Sequence, residues 1–294
     1  MKTSPEPVKR VGLVANTTKP SVRALLRDAV RILIEARCEI LADPPTAALA
    51  GLAEDAMLPP DRLARSVDLL LVFGGDGTML RAVREANGAR SPILGVNMGR
   101  LGFLAAVSSR ELAPALATVL AGHYSIDARA LILAEGAANG APVSIHALND
   151  VVISRGAASR MIEMDVHVDG HFLTRYRCDG LIISSPTGST AYSLSAGGAI
   201  ISPAAKVFAL TPICPHTLSN RSVIVDMASR IDVRVAGENI EASFNADGQV
   251  GAGLVSGDVI SVRRARREVR LARLDGATFF ETVRHKLHWS GSNV

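Results

Sequence analysis

Cysteine is scarce: Cys38, Cys178 and Cys214 are the only three, far apart and odd in number. A disulfide framework and a zinc site of CxxC spacing are thereby disfavoured, and a reducing cytoplasm is the expected setting. No stretch approaches the ~18 consecutive apolar residues of a membrane span. Residues 1–10, MKTSPEPVKR, mix proline and charge with no apolar run behind them, so no secretory signal is expected. Aromatic residues make up only 4% of the chain. The chain contains no Gly-Lys dipeptide, which excludes a P-loop of the GxxxxGK[ST] type, and no GxGxxG, the usual dinucleotide fingerprint of oxidoreductases.

What is present is apolar material in quantity. Of 294 residues, 48% are hydrophobic and 20% charged, enough for one large core or two ordinary ones. The net charge of +4 is modest, carried by 27 Arg against 5 Lys. Residues 263–273, RRARREVRLAR, hold six of those arginines. Such a cluster is either a nucleic-acid patch or a solvated strand face balanced by acidic neighbours. With few aromatics and no nucleic-acid motif beside it, the second reading is preferred, and neither nucleic acid nor a membrane is an expected partner.

Up to about residue 125, short apolar runs alternate with helical periods. Residues 11–15 and 67–73 read as buried strands, and residues 38–41 and 93–96 as two more. Helices are expected over 21–36, 45–57, 78–87 and around 109–121. This alternation implies βαβ units and a parallel sheet, Rossmann-like or flavodoxin-like. In such sheets ligands bind at the carboxyl ends of the strands. Beyond residue 125 the apolar period becomes two: Ile162, Met164, Val166 and Val168 alternate with Glu163, Asp165 and His167, and Asp169-Gly170 makes a two-residue hairpin turn. Ala246-Asp247-Gly248-Gln249 reads as another tight turn. The expected organisation is therefore an α/β domain over 1–125 and an all-β sandwich over 126–276. One short helix interrupts the sandwich near 189–196, and a C-terminal helical stretch, 277–294, is free to pack back on the first domain.

Three motifs carry chemistry. Gly74-Gly75-Asp76-Gly77-Thr78 follows the strand 67–73 and opens a helix. Its glycines let backbone N–H groups approach a phosphate, and the helix N-terminus adds its positive dipole end. Asp76 would repel a phosphate, so it suits a general base aimed at a hydroxyl, or a ligand of a phosphate-bound cation. The plainer alternative is a helix cap. Next, Asn149-Asp150 opens an apolar strand. Adjacent side chains on a regular strand face opposite ways, so for both to meet one ligand the pair must sit at a bend. An amide can then pair with a base edge while the carboxylate accepts from two ribose hydroxyls. Finally, residues 179–203, DGLIISSPTGSTAYSLSAGGAIISP, run from a buried strand into a hydroxyl- and glycine-rich helix start with one stacking ring, Tyr192.

Together the three motifs, in this order and spacing from about residue 8 to 288, resemble the NAD kinase family. GGDG alone is shared with phosphofructokinases and lipid kinases; the third block is far more specific. The resemblance implies an N-terminal α/β domain, a C-terminal β-sandwich and an active site between them. It implies Asp76 as the catalytic aspartate with Gly77 beside it on the ligand, and Gly74, Gly75, Gly77 and Thr78 as the phosphate loop. Asn149 and Asp150 match the pair that holds the adenosine of NAD. Arg177, Asp179, Thr190, Ala191, Tyr192, Ser193, Leu194 and Ser195 match further NAD contacts, with Thr187 on the same adenine-facing loop. Arg81, Arg160 and Gln249 complete the set. The implied reaction is phosphoryl transfer from ATP, with Mg²⁺, to the 2′-hydroxyl of the adenosine ribose of NAD⁺. No metal ligand set is expected from side chains alone, and family members assemble as homodimers or homotetramers.

Three rivals stand beside this reading. A lipid kinase of the diacylglycerol or sphingosine type shares the GGDGT loop but has no use for the TGSTAY block. A dinucleotide sensor that transfers nothing has no use for the Asp76 carboxylate. A basic scaffold acting through residues 263–273 leaves all three motifs unexplained. Two smaller features complete the inventory. His285 and His288, three apart on an expected helix, read as surface histidines. Cys178, next to Asp179, carries no mark of a reactive thiol.

Overall fold

The computed structural model describes residues 8–99, 102–156, 161–217, 220–237, 240–274 and 278–289. The chain divides into two compact units: the chain up to Ala128 together with the chain from Val269 onward, and Arg129–Glu268.

The first unit contains β1 (Arg10–Ala15), α1 (Val22–Glu35), β2 (Glu39–Ala42), α2 (Pro44–Ala50), α3 (Pro60–Ser66), β3 (Leu69–Phe73), α4 (Asp76–Ala86), β4 (Ile93–Asn97), β5 (Val107–Ser108) and α5 (Leu112–Leu120). The strands lie in the order β2-β1-β3-β4-β5, all parallel. That is the flavodoxin-like order, in which chain direction switches between β1 and β3. All five residues of β3 and of β4 are buried, as expected of parallel strands covered on both faces, whose sequences read as continuous apolar runs. α1 buries Val22, Leu26, Ala29 and Leu33 along one stripe.

Two expectations are corrected here. The helix expected over 45–57 ends at Gly51, which takes the left-handed conformation at φ 74°, and returns only as a 3₁₀ turn at Glu54–Ala56. α3 was not expected; Pro60 fills its first helical position, where a missing N–H costs nothing.

Among the described residues, the second unit is β-structure apart from one short helix and a 3₁₀ turn at Gly188–Thr190. Its strands are β6 (Ser125–Ala138), β7 (Ala141–Ala147), β8 (Asp150–Arg155), β9 (Ile162–Val168), β10 (His171–Cys178), β11 (Gly180–Ser184), β12 (Val207–Ile213), β13 (Val223–Asp226), β14 (Ile231–Ala236), β15 (Glu241–Ala246), β16 (Val250–Val255) and β17 (Val259–Arg273), with α6 (Tyr192–Ser195) after β11. One layer is the antiparallel sheet β13-β12-β11-β8-β15-β16. The other contains β10-β9-β14-β17 and the β6–β7 hairpin. Ile153, Phe208 and Phe244 of the first layer and Met164, Tyr176 and Ile260 of the second belong to one buried core. The β9–β10 turn is the expected Asp169-Gly170, with φ 52° and 80°, the conformation a two-residue hairpin of matching twist demands. The first residues of β6, the last residues of β17 and helix α7 (Phe279–Lys286) belong to the first unit.

The arginine cluster is largely satisfied within the chain. Arg263, Arg264 and Arg273 pair with Glu135, Glu268 and Asp127, and Arg270 donates to the Arg90 carbonyl. His285 lies in the last turn of α7, whereas His288 lies beyond its end in a left-handed conformation; both are exposed.

Candidate active site

The GGDG turn sits at the carboxyl end of β3, where the strand order switches. Gly74 closes the strand by donating to the Val96 carbonyl, and a Cβ on it would come within 2.2 Å of the Thr78 hydroxyl. Only glycine lets the strand turn this sharply over α4. Gly75 is the N-cap of α4 and no side chain caps that end, so the first-turn amides are not spent on a side chain of the protein. Asp76 is the first helical residue and does not cap its own helix. Its carboxylate instead accepts from the Phe103 amide at 3.1 Å and the Leu104 amide at 3.2 Å. An ionised carboxylate has about four acceptor positions, so these two bonds aim the group and leave room for a further donor.

The loop that aims Asp76 is itself braced. Arg273 donates to the Phe103 carbonyl at 3.3 Å, and the Phe103 and Phe279 rings lie 6.4 Å apart. Gly102 permits the approach: a Cβ there would meet Asp76 Oδ1 at 2.0 Å. Gly102→Ala is therefore expected to displace the carboxylate and lower turnover about 10- to 100-fold, the scale of an ångström misplacement of a reacting group. Steady-state kinetics beside an unchanged far-UV spectrum checks this. Arg81 donates to the Ala15 carbonyl at 2.9 Å, with Asp43 and Glu85 each 3.9 Å away.

In the second unit, Asn149, Asp150, Val152, Ser154, Ala191, Tyr192, Asn245, Asp247 and Gly248 line a cavity of about 390 Å³. Asn149 lies at the bend just before β8, the position that lets it and Asp150 serve one space. The bend is sewn to the glycine- and hydroxyl-rich block. Ser185 donates its hydroxyl to the Leu148 carbonyl at 2.6 Å and its amide to the Asn149 carbonyl at 2.8 Å. Gly188 packs so tightly there that a Cβ would lie 2.0 Å from the Asn149 oxygen. The second and third motifs are thus one structure. Asp150 is almost fully buried, and burial, with the nearby Asp247 carboxylate adding to it, pushes its pKa up to about 7.

The remaining expected residues surround this cavity or lie apart from it. Thr187 is buried and accepts from Arg129 at 3.1 Å; Thr190 donates to the Thr187 carbonyl at 3.2 Å. Ser193 is buried against Thr211, their hydroxyls 3.1 Å apart, while Leu194 is half-buried and Ser195 exposed. Gln249 closes the β15–β16 turn, donating its amide to the Ala246 carbonyl. Arg177 pairs with Glu163 at 3.0 Å and Asp179 with Arg155 at 3.3 Å, both pairs partly exposed. Arg160 lies outside the described residues. Cys178 is buried and its thiol is pushed up to about 11 by burial, which makes it a poor nucleophile.

Sequence reasoning missed the cavity's other walls. Val152, Ser154 and Asn245 have no motif to mark them. Ser185, Arg129 and Asp247 act on backbone or on neighbours; Ser185 lies within the third motif and Asp247 in a tight Asp-Gly turn, but neither signal marks the partner it holds.

A doubly wound α/β unit with a phosphate-type turn at its switch point, joined in one chain to a β-sandwich with a polar cavity, defines a class of nucleotide-handling enzyme. Residues 11–124 match the ATP-NAD kinase N-terminal domain family and residues 148–274 the ATP-NAD kinase C-terminal domain family. The chain is 44% identical over 285 residues to the NAD kinase of Moorella thermoacetica, covering 97% of this chain and 91% of that protein. It is 40% identical to the NAD kinase of Ralstonia nicotianae, covering 96% and 94%. Its fold superposes on yeast NADH kinase, solved in complex with NADH, with a TM-score of 0.87 at 27% identity, over 98% of this chain and 90% of that one. The chain belongs to the ATP-NAD kinase family. The lipid-kinase alternative finds no support among these relatives.

Proposed function

We propose that this protein transfers the terminal phosphoryl group of ATP to the 2′-hydroxyl of the adenosine ribose of NAD⁺, giving NADP⁺ and ADP. The observation that carries the proposal is Asp76: a carboxylate in a phosphate-type turn, aimed by two backbone amides of another loop rather than spent on its own helix. A ribose hydroxyl is far too weak an acid for a carboxylate to ionise it beforehand. Asp76 instead orients the hydroxyl and accepts its proton as transfer proceeds through a loose transition state. Gly74, Gly75, Gly77 and Thr78 admit the phosphates to the start of α4, and Arg81 offsets their charge. Asn149 reads the adenine edge and Asp150 accepts from the ribose hydroxyls. Tyr192, about half exposed, offers a ring to stack on, with Ala191 and residues 193–195 beside it. Thr187, Thr190, Arg177, Asp179, Arg160 and Gln249 are proposed as further contacts.

Among the described residues no group of three or more His, Cys, Asp or Glu side chains is placed to hold a metal ion. The divalent cation is proposed to arrive as part of the substrate, ATP·Mg²⁺, and to neutralise charge on the phosphates. No helix of the described residues is long and apolar enough to cross a membrane. A cytoplasmic homodimer or homotetramer is the proposed working form. The test mixes protein, NAD⁺, ATP and Mg²⁺ and follows a strictly NADP-dependent dehydrogenase. Activity that depends on all four components supports the proposal, and a silent dehydrogenase refutes it.

A further inference from the structure

Asp247 belongs to none of the three motifs, yet it is the residue on which the Leu148–Asp150 bend is hung. Its Oδ2 accepts from the Leu148 amide at 2.9 Å, and its Oδ1 accepts from the Asn149 amide at 2.7 Å and the Asp150 amide at 3.3 Å. In return the Asp247 amide donates to the Asp150 carbonyl at 3.0 Å. Asp247 reaches the bend because it stands in the β15–β16 turn at φ 51°, followed by Gly248 at φ 66°. Aspartate tolerates that left-handed conformation better than most residues. Without these bonds, three successive amides at the mouth of a buried strand would lose their acceptor, and the bend would be held only through its carbonyls, by Ser185. A straight strand would throw Asn149 and Asp150 to opposite faces.

We infer that Asp247 is a positioning residue for the coenzyme: its carboxylate fixes the bend that brings the Asn149 and Asp150 side chains into one cavity. The inference rests on the proposed binding of NAD there. A second role follows from the same geometry. The titratable residues lining the cavity are Asp150, Asp247 and Tyr192, and Asp247 is the neighbour whose negative charge disfavours ionisation of Asp150. The residue that holds the bend thus also adds to burial in raising the pH at which the ribose-accepting carboxylate becomes available.

Asp247→Asn keeps the shape but loses the charge and turns an N–H₂ group toward one of the amides. It is expected to raise the KM for NAD about 10- to 100-fold, the scale of losing hydrogen bonds to a charged acceptor, and to leave the KM for ATP within about twofold. The midpoint in the pH profile of the NAD KM should move to lower pH. Asp247→Glu keeps the charge but cannot present both oxygens at the same depth; it should raise the NAD KM with the midpoint in place. Either variant with unchanged NAD KM overturns the inference. So does a parallel rise of both KM values tracking a fall in Tm, which marks a merely structural role. If the Asn variant does not fold, the Glu variant decides alone. Failure of the underlying functional reading looks different: the unmodified protein would then show no saturable dependence on NAD at any pH.

Discussion

Replacing Asp76 by asparagine is expected to lower turnover about 10²- to 10⁴-fold, the range typical of losing a general base, with the affinity for NAD largely kept. Asparagine retains an oxygen for the Leu104 or Phe103 amide but cannot accept a proton, so the loss falls on kcat. Calorimetric titration of NAD beside steady-state kinetics separates the two quantities. A variant with full turnover would remove Asp76 from the chemistry, and one that no longer bound NAD would make it a binding residue. Asp76→Ala should behave worse in a further respect, because the Phe103 and Leu104 amides lose their acceptor altogether and the loop is freed.

Asp150→Asn is expected to have two effects of opposite sign. The first is loss of coenzyme affinity, about 10- to 100-fold, because the amide cannot accept from two hydroxyls as the carboxylate does. In the unmodified protein that affinity should rise with pH between about 6 and 8, since the ionised form is the acceptor and ionisation centres on about 7. The Asn variant should show no such rise.

The second effect is on stability. The folded-state pKa of Asp150 is raised from 3.8 to about 7, so between those values the folded chain holds a proton that the unfolded chain has released. Stability from this group is fully present below about pH 4 and is lost as pH climbs through 7. At pH 8 the buried charge is a burden on the order of 2–4 kcal/mol. Asp150→Asn lifts part of it and should raise Tm by a few degrees at pH 8, with no gain near pH 4. Thermal unfolding at the two pH values checks the sign. A residue that destabilises the fold where the enzyme works is what a binding site, rather than a core, is expected to hold.

Much of the fold was legible because its signals are local. The run Leu69–Phe73 announces a buried parallel strand, and β9 declares itself by alternation running into the Asp169-Gly170 turn. Where two tendencies compete, the sequence is mute. Pro59-Pro60 reads equally as a loop or as the start of α3. The Ala-rich stretch from residue 45 gives no warning that Gly51 will take φ 74° and stop the helix. The β6–β7 hairpin, turned at Asn139-Gly140, was missed although Val143, Ile145 and Ala147 alternate with Pro142, Ser144 and His146; the pattern is short and opens with a proline on exposed residues.

The candidate site divides along the same line. Asp76, Asn149, Asp150 and the 187–195 block are conspicuous because their chemistry is out of place in apolar surroundings. Asp247 and Arg129 are not. They act on backbone groups and neighbours brought close only by folding: Asp247 is 97 to 99 residues from the amides it holds, and Arg129 is 58 residues from Thr187. No spacing rule reaches that far.

The central claim is about which oxygen receives the phosphorus. The direct measurement is a two-dimensional ¹H–³¹P correlation on the product formed from NAD⁺ and ATP·Mg²⁺. The account predicts one new phosphomonoester coupled to the C2′ proton of the adenosine ribose, appearing in step with ADP. Phosphate on any other hydroxyl, or ADP accumulating with inorganic phosphate and unaltered NAD⁺, would contradict it.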